Sequence, residues 1–534
     1  MTQNATAQTD APTKSNSAAD IGRQIGLARA AQRDGDESGA KNYAEAALNS
    51  LKSVELNYEN LDWRQLAEGD AQWLLGNMAA AEKAFRQAMV AAPQQNGGYR
   101  RLAELLQDMG RQEDLQKHLD LCMKRFPKDP LFLKLFAVMA AANQSYSEAI
   151  PALAKAFAAD PKDAETADAL GVCLQNIHHF NEAVLYHNRA MELEPTNALY
   201  ITRFGLAMAG TNGGEEAAME LFRMALNLNP NLFDAYAFLA REYARVGRTE
   251  DARAVFQEGL TRAPDNGVLN FYYGKFLQES GAPKEAAAAF DKTIASNDEG
   301  SRPAAEFMRA AALGETPERA PEEFIKNTFN YFAPNFEKAL QANPQYRSPG
   351  TLLELLAQPS VTAVRDIKKQ KVRVLDLGCG TGLMGAAIKP YADAMIGVDL
   401  SVSMLQRASE KGIYSITRCQ DIESYVNEMP AGSADLVTAA DVFSYIGKLD
   451  EIFAALSKKL PSGALVAFGC EALPESVQGA GYALRNTVRY AHKDSYLRNL
   501  AAATGFNVLA QQASLIRQYT SEPVDGLFYV LVKK

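Results

Sequence analysis

The sequence predicts a multidomain protein, with an N-terminal all-α solenoid followed by an α/β domain built on a seven-stranded, mostly parallel sheet. Three observations predict it. Prolines recur at 93, 127, 161, 195, 230 and 264, at intervals of 34 or 35 residues. Small residues recur in step with them. From residue 372 onward, short apolar runs alternate with helical stretches, the pattern of a parallel sheet covered on both faces.

Residues 1–19, rich in Thr, Asn, Gln, Ser and Ala, read as a disordered tail. They lack the apolar stretch of a signal peptide and the arginines of a transit peptide. Residues 20–61 read as a degenerate helical pair that caps the array. Over residues 62–300 the proline series governs, because proline cannot donate into a helix interior and so suits a helix end. The single 35-residue interval coincides with Thr211-Asn-Gly-Gly214, a lengthened turn, and a seventh slot falls at Asn297–Asp298 without proline. Gly69, Gly171, Gly205, Ala240 and Gly274 lie in first helices. Ala81, Ala149, Ala183, Ala218, Ala252 and Ala286 lie in second helices, and Phe85, Phe222, Phe256 and Phe290 follow four residues after their alanines. Close helix approach needs a small residue facing a bulky one.

A period of 34 residues is the signature of tetratricopeptide repeats, and this half resembles those proteins over about seven repeats. The resemblance implies stacked helix pairs whose concave groove binds a protein or peptide, or an array that serves only as scaffold or dimerisation arm.

Residues 301–345 read as a helical linker or lid, with Phe324, Phe329, Tyr331, Phe332 and Phe336 crowded into one stretch. This stretch looks like the first segment of a bacterial group of fused tetratricopeptide–methyltransferase proteins. Asn330 stands where that group has an acid, and Phe332 where it has a tyrosine. Such a segment either caps cofactor and substrate or packs its aromatics on the sheet domain.

Residues 346–534 carry the chemistry. Val372-Arg-Val-Leu-Asp-Leu377 runs into Gly378, Gly380 and Gly382, which reads as a buried strand, a turn and the start of a helix. Glycines there remove the Cβ atoms that would keep a ligand off the backbone. The helix N-terminus beyond presents free N–H groups. A glycine-rich turn also serves dinucleotides, so the residues that follow decide. Asp376 precedes the first glycine by two residues, where its carboxylate could meet a cationic amino group. Ala394–Asp399 is a second strand ending in an acid, 23 residues after Asp376, near the offset of a ribose-binding acid. A third acid, Asp421, follows Ile416–Cys419. Further strands read at Ala434–Asp441, Gly463–Cys470, Gly505–Ala510 and Gly526–Val532. The last follows its predecessor too closely for a helical crossover and is therefore antiparallel.

Together these residues resemble the Rossmann-like S-adenosylmethionine-dependent methyltransferases, over roughly residues 320–534. The resemblance implies that Asp376, Gly378, Gly380 and Gly382 hold the methionine part of the cofactor and that Asp399 binds the ribose hydroxyls. It places Leu400 on the adenine, Asp421 at its amino group, and Ile422 beside it as a backbone contact. Asp441 and Tyr445, just after the fourth strand, are expected to meet the acceptor or the cofactor's amino end. Arg489-Tyr-Ala-His-Lys-Asp-Ser-Tyr496 also resembles the fused group. There His492 is either a general base or a histidine bonded to backbone at the start of a helix, with Asp494 or Ser495 as its cap. Arg489, Tyr490 and Tyr496 are further substrate-pocket candidates.

The 534 residues carry a net charge of −9, which argues against general nucleic-acid binding. Five scattered cysteines fit free thiols in a reducing cytoplasm. No Cys/His grouping has metal-ligand spacing, so no metal is expected, and no apolar run approaches a bilayer span. The leading expectation is a cytoplasmic S-adenosylmethionine-dependent methyltransferase whose repeats bind a protein or peptide substrate, the methyl acceptor being unnamed. The alternatives are a small-molecule methyltransferase with repeats used for assembly, and a non-catalytic scaffold that binds the cofactor.

Overall fold

Each proline of the series stands two residues beyond the end of a helix. The structure, a computed structural model, describes residues 18–54, 61–143, 145–296, 298–333, 336–341, 346–519 and 522–534. Residues 1–17 of the expected tail, Asn297 of the seventh slot and the side chain of Tyr331 lie outside what is described. Helices Met78–Ala91, Gln112–Arg125, Tyr146–Ala159, Phe180–Leu193, Glu215–Leu228 and Thr249–Arg262 stop ahead of Pro93, Pro127, Pro161, Pro195, Pro230 and Pro264. The next helix then restarts under a cap. Asp129, Asp163, Asn197 and Asn266, each two residues after a proline, accept the N–H groups of Leu131, Thr166, Leu199 and Leu269.

The chain divides into two compact units, Met1–Leu228 and Asn229–Lys534. The division falls inside the repeats rather than near residue 300, because each repeat contacts mainly its neighbours and the array offers many equivalent places to part.

In the first unit, Ala18–Arg33 pairs with Glu37–Leu51, so the helical cap begins two residues before the expected boundary. Five repeat pairs follow, from Leu61–Leu74 with Met78–Ala91 to Ala198–Ala209 with Glu215–Leu228. Glycine faces ring at the crossings. A Cβ on Gly69 would lie 2.3 Å from the Phe85 ring, and one on Gly205 2.7 Å from Phe222. In the fourth pair the ring is His187, 2.7 Å from a Cβ on Gly171. The turn Thr211–Gly214 joins the fifth pair and accounts for the extra residue.

The second unit opens with two more pairs, Phe233–Arg245 with Thr249–Arg262 and Gly267–Glu279 with Pro283–Ala295, then Arg302–Leu313. Helices Glu322–Phe332, Phe336–Gln341, Ser348–Leu356 and Pro359–Thr362 lead to the sheet. Its strands are β1 Val372–Leu377, β2 Ala392–Asp399, β3 Ile416–Cys419, β4 Leu436–Ala439, β5 Leu465–Ala472, β6 Tyr482–Leu484, β7 Tyr490–His492, β8 Phe506–Tyr519 and β9 Glu522–Lys533. The order β3-β2-β1-β4-β5 is parallel, and β9 joins β5 antiparallel with β8 beyond it.

Alternation along the strands splits the core into two layers. Leu375, Leu377, Val437, Val466, Phe468, Tyr529 and Leu531 face one cluster, and Val372, Val374, Leu436, Leu465, Val530 and Val532 face the other. Nine strands are present among the described residues where seven were expected. The additional β6–β7 hairpin, three residues a strand, extends the sheet from the end of β5. Strand β8 runs well past the expected Ala510, because β9 pairs with it along its length.

Candidate active site

A cavity of about 970 Å³ opens beyond the carboxyl ends of β1, β2 and β4, where ligands of open α/β sheets sit. Gly378, Gly380, Asp399, Leu400, Asp421, Ile422, Asp441 and Tyr445 all line it. The turn after β1 is sharp, with φ of +62°, +53° and +87° at Gly378, Gly380 and Gly382, a region that L side chains rarely enter. A Cβ on Gly380 would meet nothing within 4 Å, so this glycine keeps its backbone bare toward the cavity. A Cβ on Gly378 would strike Val442 at 2.5 Å.

Asp399 holds the turn in place. Its carboxylate accepts the N–H of Gly380 at 2.8 Å and that of Ser401 at 2.8 Å. Burial is the largest influence on this carboxyl and lifts it above the usual range, against the backbone donors. A carboxylate offers about four lone-pair sites, so acceptor capacity remains toward the cavity. Asp421 caps helix Ile422–Glu428 by accepting the N–H groups of Glu423 and Ser424, and its other oxygen accepts from Arg319. Arg319 itself lines the cavity. It is fixed through its neighbours, since Ala320 N–H donates to the Tyr445 carbonyl, and Gly447 and Lys448 N–H groups donate to that of Glu318.

Three expected site residues do not line the cavity. Asp376 is buried behind the turn, where its carboxylate accepts the hydroxyls of Tyr414 at 2.6 Å and Thr438 at 2.7 Å. Burial pushes this carboxyl up to about 6. Instead of meeting a cationic amino group, Asp376 ties β1 to its neighbours. The Cβ position of Gly382 is directed at Tyr414, 3.2 Å away. His492 is fully buried in β7, its Nε2 2.9 Å from the Gly447 carbonyl. Burial lowers it to about 4. A ring pinned this way faces no acceptor, which corrects the general-base reading.

The cap expected at Asp494 or Ser495 also differs. The helix starts at Asp494, whose carboxylate is taken by Arg498, Gln511 and Tyr529, and Glu475 accepts the Ser495 N–H instead. Tyr490 and Tyr496 pack away from the cavity, whereas Arg489 lines it, its guanidinium 5.1 Å from the Tyr445 ring centroid.

The aromatic segment around Glu322–Phe332 and Phe336–Gln341 both lines the cavity and docks on the sheet domain. Phe324, Phe329, Phe332 and Phe336 are cavity residues, and Phe329 meets Tyr445 edge-on at 5.2 Å. Asn330 accepts the Ser401 hydroxyl at 2.7 Å and the Ser403 N–H at 3.3 Å, clasping the helix that follows Asp399. Two more residues escaped the sequence reading. Arg517, far along β8, pairs with Asp441 and lies 3.3 Å from Glu471. Tyr346 lines the cavity, its hydroxyl pushed up by burial and then by the Asp441 charge.

Residues 323–511 match the family described as a methyltransferase domain, and residues 233–266 the family described as a tetratricopeptide repeat. One chain therefore carries a stretch that matches a methyltransferase domain and a stretch that matches a tetratricopeptide repeat, and such a methyltransferase domain implies S-adenosylmethionine as its cofactor. It is 38% identical over 111 residues to the malonyl-[acyl-carrier protein] O-methyltransferase of Halalkalibacterium halodurans, covering 20% of this chain and 41% of that protein. It is 29% identical over 151 residues to the ubiquinone biosynthesis O-methyltransferase of Chromobacterium violaceum, covering 26% and 65%. The chain thus spans less than two thirds of the length of these relatives. Among solved structures, an S-adenosylmethionine-dependent methyltransferase from Clostridium acetobutylicum aligns with a TM-score of 0.28 at 19% identity, covering 39% of this chain and 99% of that one.

The residues present fit this cofactor. Gly380 leaves open space at its backbone, Asp399 keeps lone pairs free, and Leu400, Met404 and Ile422 offer apolar surface beside it. No described helix is long and apolar enough to cross a membrane, and no described group of His, Cys, Asp and Glu could hold a metal.

Proposed function

We propose that the protein transfers a methyl group from S-adenosylmethionine to an acceptor held in this cavity, and that the last repeats help to choose that acceptor. The observation that carries the reading is the composition of the cavity wall. Gly380, Asp399 and Asp421 line it from the sheet edge, and Phe271, Tyr272 and Lys275 line it from the repeat helix Gly267–Glu279. A cavity of this size lies at the upper end of what a small-molecule site needs.

In this reading Asp399 accepts the ribose hydroxyls. The turn at Gly378 and Gly380, with its backbone bare at Gly380, receives the methionine part. Leu400 and Ile422 flank the adenine, and Asp421 accepts from its amino group. Asp376 and Gly382 shape the turn from behind. When bound, the cofactor supplies a methyl already activated on a sulfonium. The protein's part is to aim the nucleophile and keep water away, which can lower a barrier by roughly 7–11 kcal/mol. Phe329 and Tyr445 exclude water, and Arg517 fixes the Asp441 carboxylate at the acceptor end. Oxygen is the attacked atom that the names of the relatives support, and an acceptor already ionised needs no strong base. The six helix pairs of the first unit supply a surface for a protein or peptide partner, as stacked repeats do.

Calorimetric titration of the full chain with S-adenosylhomocysteine tests the reading. Wild-type protein binds, and Asp399→Ala binds at least tenfold more weakly, since each hydrogen bond to a charged group contributes roughly 1.5–3 kcal/mol. No affinity in the wild type for S-adenosylmethionine or its demethylated product would sink it. Label carried from the cofactor onto a component of cell extract then identifies the acceptor.

A further inference from the structure

The repeat face of the cavity carries more than shape. Val268, Phe271, Tyr272, Lys275 and Glu279 follow one another at helical spacing along Gly267–Glu279 and all line the cavity. Opposite them stands the β6–β7 loop. Gln278 Nε2 donates to the Asn486 carbonyl at 2.7 Å, so the repeat helix is fastened to the loop that ends in Arg489.

The cavity's cations differ in how they are balanced. Arg319 is paired with Asp421, and Arg517 with Asp441 and Glu471. Lys275 and Arg489 make no ion pair among the described residues. The Lys275 ammonium lies 5.8 Å from the Phe271 ring centroid and 6.0 Å from that of Tyr272, and Arg489 rests over Tyr445. Burial pulls the Lys275 amine below its ordinary value, and the Arg241 charge adds to this against Glu279. Two cations therefore face an interior space with aromatic surface around them and no counter-charge bound to them.

The loop is built to hold Arg489 there. Val488 has φ +60°, a conformation that a β-branched residue rarely adopts. The turn is closed by Val488 N–H on the Arg485 carbonyl at 2.8 Å and Arg485 N–H on that of Arg489 at 2.9 Å. Thr487, also a cavity residue, has a buried hydroxyl without a hydrogen-bond partner. Strain retained at a cavity wall beside an unused donor points to a ligand that uses both.

We propose that this wall binds the methyl acceptor by an anionic group, a carboxylate or a phosphate ester, gripped between Lys275 and Arg489 with the Thr487 hydroxyl as a further donor. The body of the acceptor is apolar or aromatic and lies against Phe271, Tyr272 and Phe329. Glu279 and Glu323 also line the cavity. Specificity then resides partly in the seventh repeat. The inference rests on the methyltransferase reading above.

The test uses the full chain saturated with S-adenosylhomocysteine, titrated calorimetrically at constant ionic strength with benzoate, phenyl phosphate and benzyl alcohol. One of the anions binds, and the uncharged alcohol binds at least tenfold more weakly. Preference for benzoate assigns a carboxylate, and preference for phenyl phosphate a phosphate ester. Lys275→Ala loses at least tenfold in anion affinity and Lys275→Arg recovers part of it, while S-adenosylhomocysteine affinity stays unchanged in both, which also reports that they fold. Benzyl alcohol binding as well as the anions, or full anion affinity in Lys275→Ala, overturns the proposal. Failure of all three probes in protein that binds S-adenosylhomocysteine overturns this inference alone. Failure to bind S-adenosylhomocysteine overturns the reading beneath it.

Discussion

Asp376 and Asp399 stand at the carboxyl ends of neighbouring strands, Asp376 one residue before the last of β1, yet one is sealed in the fold and the other opens on the cavity. Burial pushes the Asp376 carboxyl up to about 6, above its ordinary value of 3.8. The folded state therefore holds the proton more tightly than the unfolded one. The stability this contributes is complete below about pH 4 and is lost as pH rises through about 6. Asp376→Asn lacks that dependence. Between pH 4 and 7, denaturant unfolding should show the wild type losing about 2 kcal/mol relative to the variant, because a pKa difference of one between the folded and unfolded chain corresponds to roughly 1.4 kcal/mol and part of the change falls below pH 4. A gap that stays constant with pH would show that Asp376 is ionised in the fold.

An acid two residues before a glycine turn is legible in the sequence. Its direction is not, because Tyr414 and Thr438, which claim it, lie 38 and 62 residues away. Arg319 and Arg517 were missed for the same reason. Nothing near Arg319 in the chain signals Asp421, and nothing near Arg517 signals Asp441.

Helices and strands divide along similar lines. Repeat helices announce themselves through a period, and their interfaces follow from it. The glycines set against Phe85, Phe222 and Phe290 do face those rings, with built Cβ contacts of 2.3–2.7 Å. His187 fits the same rule from a different residue, its ring bonded to Asp168 at 2.9 Å and Gln175 at 2.8 Å. Gly205→Leu should cost the first unit about 1–3 kcal/mol by overpacking against Phe222, read as a lowered unfolding temperature. Its affinity for S-adenosylhomocysteine should not change, because Gly205 lies outside the unit that holds the cavity. The hairpin β6–β7 had no such signal. Three-residue strands are too short to show alternation, and a β-branched residue at positive φ leaves no turn signature. The polar residues Gln511, Gln512 and Ser514 likewise hid the length of β8, although β9 pairs with it throughout.

At the scale of the molecule, two units with separate cores should melt separately. Scanning calorimetry of the full chain is expected to show two transitions. S-adenosylhomocysteine at about a hundred times its dissociation constant should raise only one of them, by roughly 2.7 kcal/mol of added stability. A single transition that moves as a whole would show that the units unfold together.

The border drawn by family likeness, at residue 323, is not the border of the cavity, which residues before 323 also line. On the proposed function, a gene trimmed to the former would encode a chamber with one side missing, still gripping its nucleoside but blind to what it should modify. On the same proposal, exchanging the Gly267–Glu279 helix for its counterpart from another array would redraw acceptor choice without disturbing the sheet edge. In that proposal, a module usually regarded as an adaptor becomes a place where new chemistry can be selected.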